Sequence, residues 1–190
     1  MKIIKILFSF MVAINCVSAQ VQKEDMCLKK NCFKQEKVFE SKKLNLKNAI
    51  DYYYYFFHVY SIGLYLDDSI QNFNFQNFDF SKPISLSFYY HRDIEKKDLT
   101  ETADIILEKN PKYDKKLFKS ELENINKLYK SVREKDTYDL VYQPIAGTSL
   151  YYNGKLLGSV AGKDFAKFYF GIWLSQYSIS KKLTNDLLQN

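Results

Sequence analysis

Five of the six glycines in this chain lie within residues 136–174, and this stretch constrains the fold more than any other. At its centre, Asn153-Gly154 separates two runs of strand-forming residues. An Asn-Gly pair in that position is a strong signal of a tight β-hairpin, because both turn residues adopt positive φ. Before the hairpin, Tyr138, Leu140 and Tyr142 alternate with smaller or more polar residues. This period of two predicts a half-buried strand.

A helix is predicted directly after the hairpin. Gly162 interrupts the second strand, and Asp164 is expected to act as the N-cap of the helix. Apolar side chains then recur with helical spacing, and we expect them to pack on the sheet and to bury the single tryptophan in the core. These side chains are Phe165, Phe168, Tyr169, Ile172 and Trp173. The stretch is therefore predicted to fold as a strand, a hairpin and a helix that folds back onto the sheet.

Three further segments are rich in strand-forming residues. Residues 37–46 are predicted to contain a first strand around Val38 and Phe39, and residues 84–90 are predicted to form another. Residues 52–66 are a continuous run of aromatic and apolar residues. Periodicity alone leaves either a strand or a buried helix there, although the aromatic and β-branched content favours a strand.

Three further helices are predicted from apolar residues at helical spacing. They cover residues 93–110, which Pro111 ends, residues 113–132, and residues 181–188 after Ser180. The chain shows no internal repeat and no linker that would divide it into domains. Strands, two helices, more strands and final helices, in that order, predict an α+β domain in which helices cover a sheet.

The N-terminus has the features of a secretory signal peptide. Lys2 and Lys5 precede an apolar segment at residues 6–14, which is too short to span a bilayer. Val17-Ser18-Ala19 supplies small residues at the −3 and −1 positions and predicts cleavage after Ala19. Residues 1–19 would then be removed, and the protein would be periplasmic or secreted, without a transmembrane segment. A lipoprotein anchored at Cys16 is the alternative, but the residues before that cysteine fit a lipobox poorly.

Two cysteines, Cys27 and Cys32, remain after this cleavage. Because an exported protein meets an oxidising compartment, we predict a local disulfide between them; two free thiols are the alternative. Both lie in residues 20–35, a charged segment without periodicity that is predicted to be a flexible arm. A zinc site would need more ligands, and the two histidines of the chain are distant in sequence. No metal site is therefore predicted.

The charge of the chain argues against nucleic acid as a partner. Removing Lys2 and Lys5 from the 28 basic residues leaves 26, against 22 acidic residues, so the net charge of the mature chain is +4. The lysines are scattered, and no basic stripe or base-reading motif is present.

Three blocks of residues, in a fixed order and spacing, resemble those of a known family. The first is Val59-Tyr60 with Gly63-Leu64-Tyr65-Leu66; the second is Tyr90 with Arg92-Asp93-Ile94; the third is Asp136-Thr137-Tyr138, Tyr142, Pro144, Gly147-Thr148, Asn153-Gly154, Gly158, Gly162, Asp164-Phe165-Ala166 and Ile172-Trp173-Leu174. With these residues the chain resembles the bacterial chalcone isomerase-like family, the secreted relatives of plant chalcone isomerases and fatty-acid-binding proteins.

This resemblance implies a fold. Residues 36–190 would form an α+β domain with an antiparallel β-sheet and a layer of helices packed on one face, the open-faced β-sandwich of the chalcone isomerase-like fold. The resemblance also implies that residues 52–66 form one long central strand. In such a strand Tyr52, His58 and Tyr60 would all lie on the same face.

The resemblance also implies where a site would lie. In plant chalcone isomerases an arginine on the long strand stabilises the reacting phenolate, and a hydroxyl residue lies further along that strand. These two positions fall on Tyr52 and Tyr60. The only arginines in the chain are Arg92 and Arg133; Arg92 either pairs with an acid, caps a turn or contacts a ligand. We therefore predict no catalytic residue and no cofactor, with Tyr52, Tyr60 and Arg92 as ligand-binding residues.

The function predicted on this basis is that of an exported, non-catalytic protein that binds a fatty acid or similar apolar ligand in a cleft between sheet and helices. Two alternatives remain: an intramolecular lyase of chalcone isomerase type with a rearranged site, and an envelope protein whose partner is another protein. The aromatic residues of the central strand either fill a core or line the cleft. His58 and His91 are interpreted as packed, hydrogen-bonded residues rather than as catalytic bases.

The predicted signal peptide determines where the mature chain should begin. Intact-mass measurement on protein isolated from cells should give a chain that starts at Gln20. Retention of residues 1–19, or an acyl group on Cys16, would contradict this prediction.

Overall fold

A computed structural model describes residues 24–111 and 114–189 of the chain. The strands of this part are β1 (Met26–Cys27), β2 (Cys32–Phe33), β3 (Glu36–Phe39), β4 (Lys42–Tyr54), β5 (Phe57–Leu66), β6 (Ile84–Tyr90), β7 (Thr137–Gln143), β8 (Gly147–Tyr152) and β9 (Lys155–Val160). The helices are α1 (Lys96–Glu108), α2 (Lys119–Leu128), α3 (Lys163–Leu174) and α4 (Lys181–Leu188), and a 3₁₀ turn covers Lys115–Phe118.

Strands β3 to β9 form one seven-stranded antiparallel sheet in which each strand pairs with its neighbour in the chain. The connection between β6 and β7 contains α1 and α2, while α3 and α4 follow β9. One face of the sheet packs on the helices around residues such as Ile62, Leu86 and Leu140. The structure thus confirms the predicted α+β fold with helices on one face of an antiparallel sheet. The hairpin at Asn153-Gly154 is also confirmed, because it joins β8 to β9.

The single long strand predicted over residues 52–66 is wrong. The chain reverses at Tyr55 and Phe56, so that β4 and β5 form an antiparallel hairpin. Tyr55 adopts a φ of 53°, in the left-handed region. No Gly, Pro, Asn or Asp marks this turn, and an unbroken aromatic run therefore gave no turn signal. Tyr52 and Tyr60 consequently lie side by side on neighbouring strands, paired in register.

A β-bulge near the end of this hairpin changes the direction of one histidine. Tyr52 pairs with Tyr60, but the next residue, Tyr53, pairs with His58, which leaves Val59 as an extra residue on β5. A bulge shifts the alternation of side chains by one residue. Val59 and Tyr60 therefore both face the helices, whereas His58 faces the other side of the sheet. The expectation that His58 shares the face of Tyr60 is corrected by this bulge.

The N-terminal segment, predicted to be a flexible arm over residues 20–35, is folded where the structure describes it. Residues 26–33 form the β1–β2 hairpin, which the predicted Cys27–Cys32 disulfide closes. Phe33 is buried in a small second core on the outer face of the sheet, together with Tyr65 and Val141. This packing explains the difference, because an apolar residue at the end of a charged segment holds the hairpin on the sheet.

The predicted signal peptide, its cleavage site after Ala19 and Cys16 lie outside the described residues. None of the helices in residues 24–111 and 114–189 is long and apolar enough to cross a bilayer.

Two helix ends differ from the predictions. The helix predicted over residues 113–132 is instead the 3₁₀ turn followed by α2, and residue 113 is outside the described part. The chain is extended after Leu128 because Val132 pairs with Ile94 in an isolated β-bridge. The N-cap of α3 is Gly162, with no side-chain cap. Asp164 lies in the first turn of α3, where its charge complements the helix dipole.

The packing of the N-terminal hairpin on the sheet can be tested at Gly63. A Cβ atom at this position would lie 2.9 Å from Cδ1 of Phe33 and 3.2 Å from Cδ1 of Leu46. Gly63→Ala should therefore lower the free energy of unfolding by about 1–3 kcal/mol through overpacking, measured by chemical denaturation.

Gly171→Ala is the matched control. Its Cβ would meet the side chain of Ser175 at an ordinary 3.6 Å, and alanine favours the helix. It should leave stability unchanged or raise it. Equal stability of wild type and Gly63→Ala would contradict the close contact of Phe33 with the sheet.

A cavity between the sheet and the helices as candidate functional site

A large concave site lies between strands β4 to β6 and helices α1 and α3. It has a volume of about 710 Å³, which lies within the range of small-molecule sites. Aliphatic side chains from the strands and helices form much of its wall. They include Val59, Ile94, Leu99, Ala103, Ile106 and Ile172. The sequence predicted the helix over residues 93–110 from its apolar spacing. It could not show that this face lines a cavity, because the distance between the helix and the sheet depends on tertiary packing.

A second cavity, of about 460 Å³, lies beside α1 and α2. Its lining is largely charged, and Lys115 within it already pairs with Asp104 and Glu108. An apolar ligand would leave those charges without water, so the cavity beneath β4 to β6 is the better candidate site.

Tyr52 and Tyr60 lie together on the sheet side of the cavity. Their ring centroids are 5.0 Å apart, and both residues are buried except where they meet the cavity. The indole Nε1–H of Trp173 donates a hydrogen bond to the hydroxyl oxygen of Tyr60 at 3.2 Å. Trp173 is half-buried and lines the cavity rather than filling the core, which corrects the expectation for this residue. It packs against Phe88, with 5.0 Å between ring centroids.

A third tyrosine, Tyr90, was not predicted as a site residue. It is paired in register with Tyr60 and lines the same cavity, with 5% of its surface exposed. Within the described part of the chain, neither Tyr52 nor Tyr90 has a hydrogen-bond partner for its hydroxyl. The alternation of Leu86, Phe88 and Tyr90 on one face of β6 was visible in the sequence, but the pairing of β6 with β5 was not.

These tyrosine hydroxyls are neutral donors. Burial raises the pKa of Tyr52 above its usual value, with a smaller contribution from Tyr54. Burial raises the pKa of Tyr60 and of Tyr90 far above the usual range. The phenols therefore stay protonated at physiological pH and can donate to a carbonyl or carboxylate oxygen, although they supply no positive charge.

Arg92 lies at the solvent-exposed edge of the cavity. Its guanidinium is 4.9 Å from the ring centroid of Phe57, and it forms no ion pair within residues 24–111 and 114–189. Three acids line the same cavity: Asp93, which accepts from the backbone N–H of Glu134 at 2.9 Å, Glu95, which accepts from Ser131 at 2.7 Å, and Asp98. Because Arg92 forms no ion pair with any of them, its guanidinium can contact an anionic group at the mouth.

The tip of the β4–β5 hairpin adjoins this mouth and exposes large aromatic side chains. Phe56 is 95% exposed, and Tyr55 and Phe57 are also mostly exposed. Tyr54 belongs both to the exposed tip and to the lining of the cavity. An apolar surface thus leads from solvent to the cavity.

A model of the family described as chalcone isomerase-like matches residues 28–189 of the chain. The chain belongs to the chalcone isomerase-like family. The match begins inside the disulfide-closed hairpin, so this segment is part of the family domain as well. A search of curated protein sequences found no match.

Among solved structures, the chain is similar to the crystal structure of a fatty-acid binding protein from Arabidopsis thaliana. The two share 16% sequence identity with a TM-score of 0.62, over 87% of this chain and 96% of that chain. At this level of identity the likeness establishes a shared fold.

In this member of the chalcone isomerase-like family, the cavity brings together the three residues predicted from the sequence. Tyr52, Tyr60 and Arg92 all line it, although they come from β4, β5 and the segment after β6. Tyr52 stands at the position predicted for the family's arginine. Among the described residues of the lining, the positive charges come instead from Arg92 and Lys109.

The hydrogen bond between Trp173 and Tyr60 can be tested by a double-mutant cycle. Trp173→Phe and Tyr60→Phe each remove one partner and keep an aromatic ring. The coupling free energy between them should be about 0.5–1.5 kcal/mol, the contribution of one hydrogen bond, measured by chemical denaturation. Strictly additive effects of the two changes would show that the bond does not stabilise the fold.

Proposed function

We propose that this protein binds, without transforming it, a fatty acid or a similar apolar ligand that has one polar head. The observation that carries the proposal is the cavity of about 710 Å³ whose aliphatic and aromatic wall also presents tyrosine hydroxyls without partners. A site with this lining favours an apolar chain, because burial of the chain removes apolar surface from water.

The polar groups of the cavity favour a carboxylic acid head. Tyr52 and Tyr90 offer neutral O–H donors inside the cavity, and Arg92 offers a cation at its edge. A carboxylate oxygen accepts hydrogen bonds from both kinds of donor, and hydrogen bonds to a charged acceptor are the stronger ones. The exposed aromatic tip around Phe56 supports entry of the ligand's acyl chain at the same edge, because the acyl chain can contact apolar side chains there before it enters the cavity.

The non-catalytic part of the proposal rests on charge. Closure of a chalcone ring passes through a phenolate, which a nearby cation stabilises. Tyr52 and Tyr60 are neutral, and the two cations of the described lining, Arg92 and Lys109, are both exposed, with Arg92 against the ring of Phe57. The interior surface formed by the strands therefore offers hydrogen bonds but no charge.

A sequence prediction, the disulfide and one structural comparison also support the proposal. The signal peptide predicted at residues 1–19 and the Cys27–Cys32 disulfide are consistent with action in the periplasm or outside the cell. The solved structure of the same fold from Arabidopsis thaliana is that of a fatty-acid binding protein.

Titration of the mature protein with palmitate and oleate tests the binding function. Trp173 lies in the cavity and is the only tryptophan, so its fluorescence should change as the ligand enters. Tyr90→Phe should weaken binding about tenfold or more, because a hydrogen bond to a charged group contributes about 1.5–3 kcal/mol. Tyr151→Phe, on the other face of the sheet against Phe39, is the matched control and should bind as wild type does.

An absorbance assay with hydroxychalcones distinguishes this function from the isomerase alternative. The wild-type protein should show no turnover above background. Turnover that Arg92→Gln abolishes would instead support an isomerase with a rearranged site. Absence of any fluorescence change with either fatty acid, together with absence of co-purifying lipid in native mass spectrometry, would refute the ligand and favour a protein partner.

A further inference from the structure

Both histidines of the chain lie in one cluster, on the face of the sheet opposite the cavity. His58 reaches this face because of the bulge at Val59, and His91 follows the end of β6. The imidazole rings are stacked, with 3.7 Å between centroids and an interplanar angle of 27°. The chain contains no other histidine, so the fold brings all of its imidazole groups to one place.

A carboxylate and a hydroxyl complete the cluster. Oδ1 of Asp51 lies 3.1 Å from Nε2 of His58 and 2.6 Å from Oγ of Ser61. The same Oγ lies 2.7 Å from Nε2 of His91 and 2.8 Å from Oδ1 of Asn31. Ser61 has one hydroxyl proton to share among these neighbours. Nitrogen and oxygen atoms that can bind a metal ion thus lie close together in a small volume.

We propose that Asp51, His58 and His91 bind a divalent transition-metal ion of the zinc type. One donor atom from each residue lies within 4.8 Å of the other two. Tetrahedral Zn²⁺ with bonds of about 2.0–2.1 Å separates its ligand atoms by about 3.4 Å. Closure of up to about 1.4 Å, with rotation of the two stacked imidazole rings towards the ion, would therefore form the site. Two imidazole nitrogens and one carboxylate oxygen are a donor set that Zn²⁺ accepts, with water as a fourth ligand.

The surroundings of the cluster fit such a site. The side chains of Asp51 and His58 are 15% and 10% exposed, so an ion can reach them from solvent. The ring of Tyr53 stacks on His58 with 4.4 Å between centroids. Ser61, held by Asn31, would orient the carboxylate of Asp51 from a second layer.

The ion would connect β4, β5 and the segment after β6 at the base of the aromatic hairpin. Because the three ligands come from separate segments, binding would oppose local opening of this part of the sheet. The site lies on the other face from Tyr52 and Tyr60 and does not depend on the function proposed for the cavity.

The test uses the mature, disulfide-intact protein after removal of metal by EDTA and dialysis. Isothermal titration with Zn²⁺ should give one ion per chain, and Zn²⁺ should raise the melting temperature. His58→Gln and His91→Gln should each abolish one-to-one binding and the thermal shift. Glu123→Gln, which removes an exposed acid on α2, is the control and should keep both.

A second measurement, made on the wild-type protein alone, tests the proposal even if a histidine variant fails to fold. With two histidines in the chain, NMR spectra of the imidazole ¹⁵N nuclei contain two sets of ring signals. Addition of Zn²⁺ to the wild-type protein should shift the Nε2 signals of both. No binding by the wild-type protein, unshifted ring signals, or binding that folded His58→Gln and His91→Gln both retain would overturn the proposal.

Discussion

The register of β4 against β5, with its bulge at Val59, is the constraint on which both the cavity and the histidine cluster depend. Strict alternation places Tyr52 and Tyr60 towards the helices and their neighbours Asp51 and Ser61 on the opposite face. The extra residue then reverses the phase of β5, so that His58 joins Asp51 instead of the cavity. A one-residue slip would exchange the two sets of side chains, since the period of a strand is two. One pairing therefore determines the polar lining of the cavity and the composition of the histidine cluster.

The outer face of the sheet is partly polar, and the N-terminal hairpin covers it. Lys37 pairs with the buried Asp139 at 2.5 Å, and Tyr65 donates a hydrogen bond to the backbone carbonyl of Lys34 at 2.8 Å. Phe33 occupies the space that Gly63 leaves by having no side chain. The short disulfide loop limits the conformations of the hairpin, and the apolar contact of Phe33 positions it. The segment from residue 24 onwards thus belongs to the folded domain.

Membership of the chalcone isomerase-like family leaves the chemistry of the cavity open. The fold provides a cavity between sheet and helices, but the chemistry of that cavity depends on a few side chains. Tyr52, Tyr60 and Tyr90 present neutral hydroxyl donors in the cavity, because burial raises their pKa values. Among the described residues of the lining, Arg92 and Lys109 carry the positive charges, and both are exposed, so that water screens them. This arrangement suits recognition of a head group more than stabilisation of a buried anion.

The sequence by itself determined the elements that local chemistry specifies. Asn153-Gly154 specified a tight hairpin, because few other residue pairs adopt positive φ at both positions. The two cysteines likewise predicted the disulfide between them. The turn at Tyr55 carried no such signal, and the three segments that supply Asp51, His58 and His91 are apart in the chain. Only the tertiary structure decided those features, because cross-strand pairing and the bulge depend on how the sheet packs on its helices. For the same reason, the family resemblance named Tyr90 only as part of a matching block, and its place in the cavity beside Tyr60 followed from the pairing of β6 with β5.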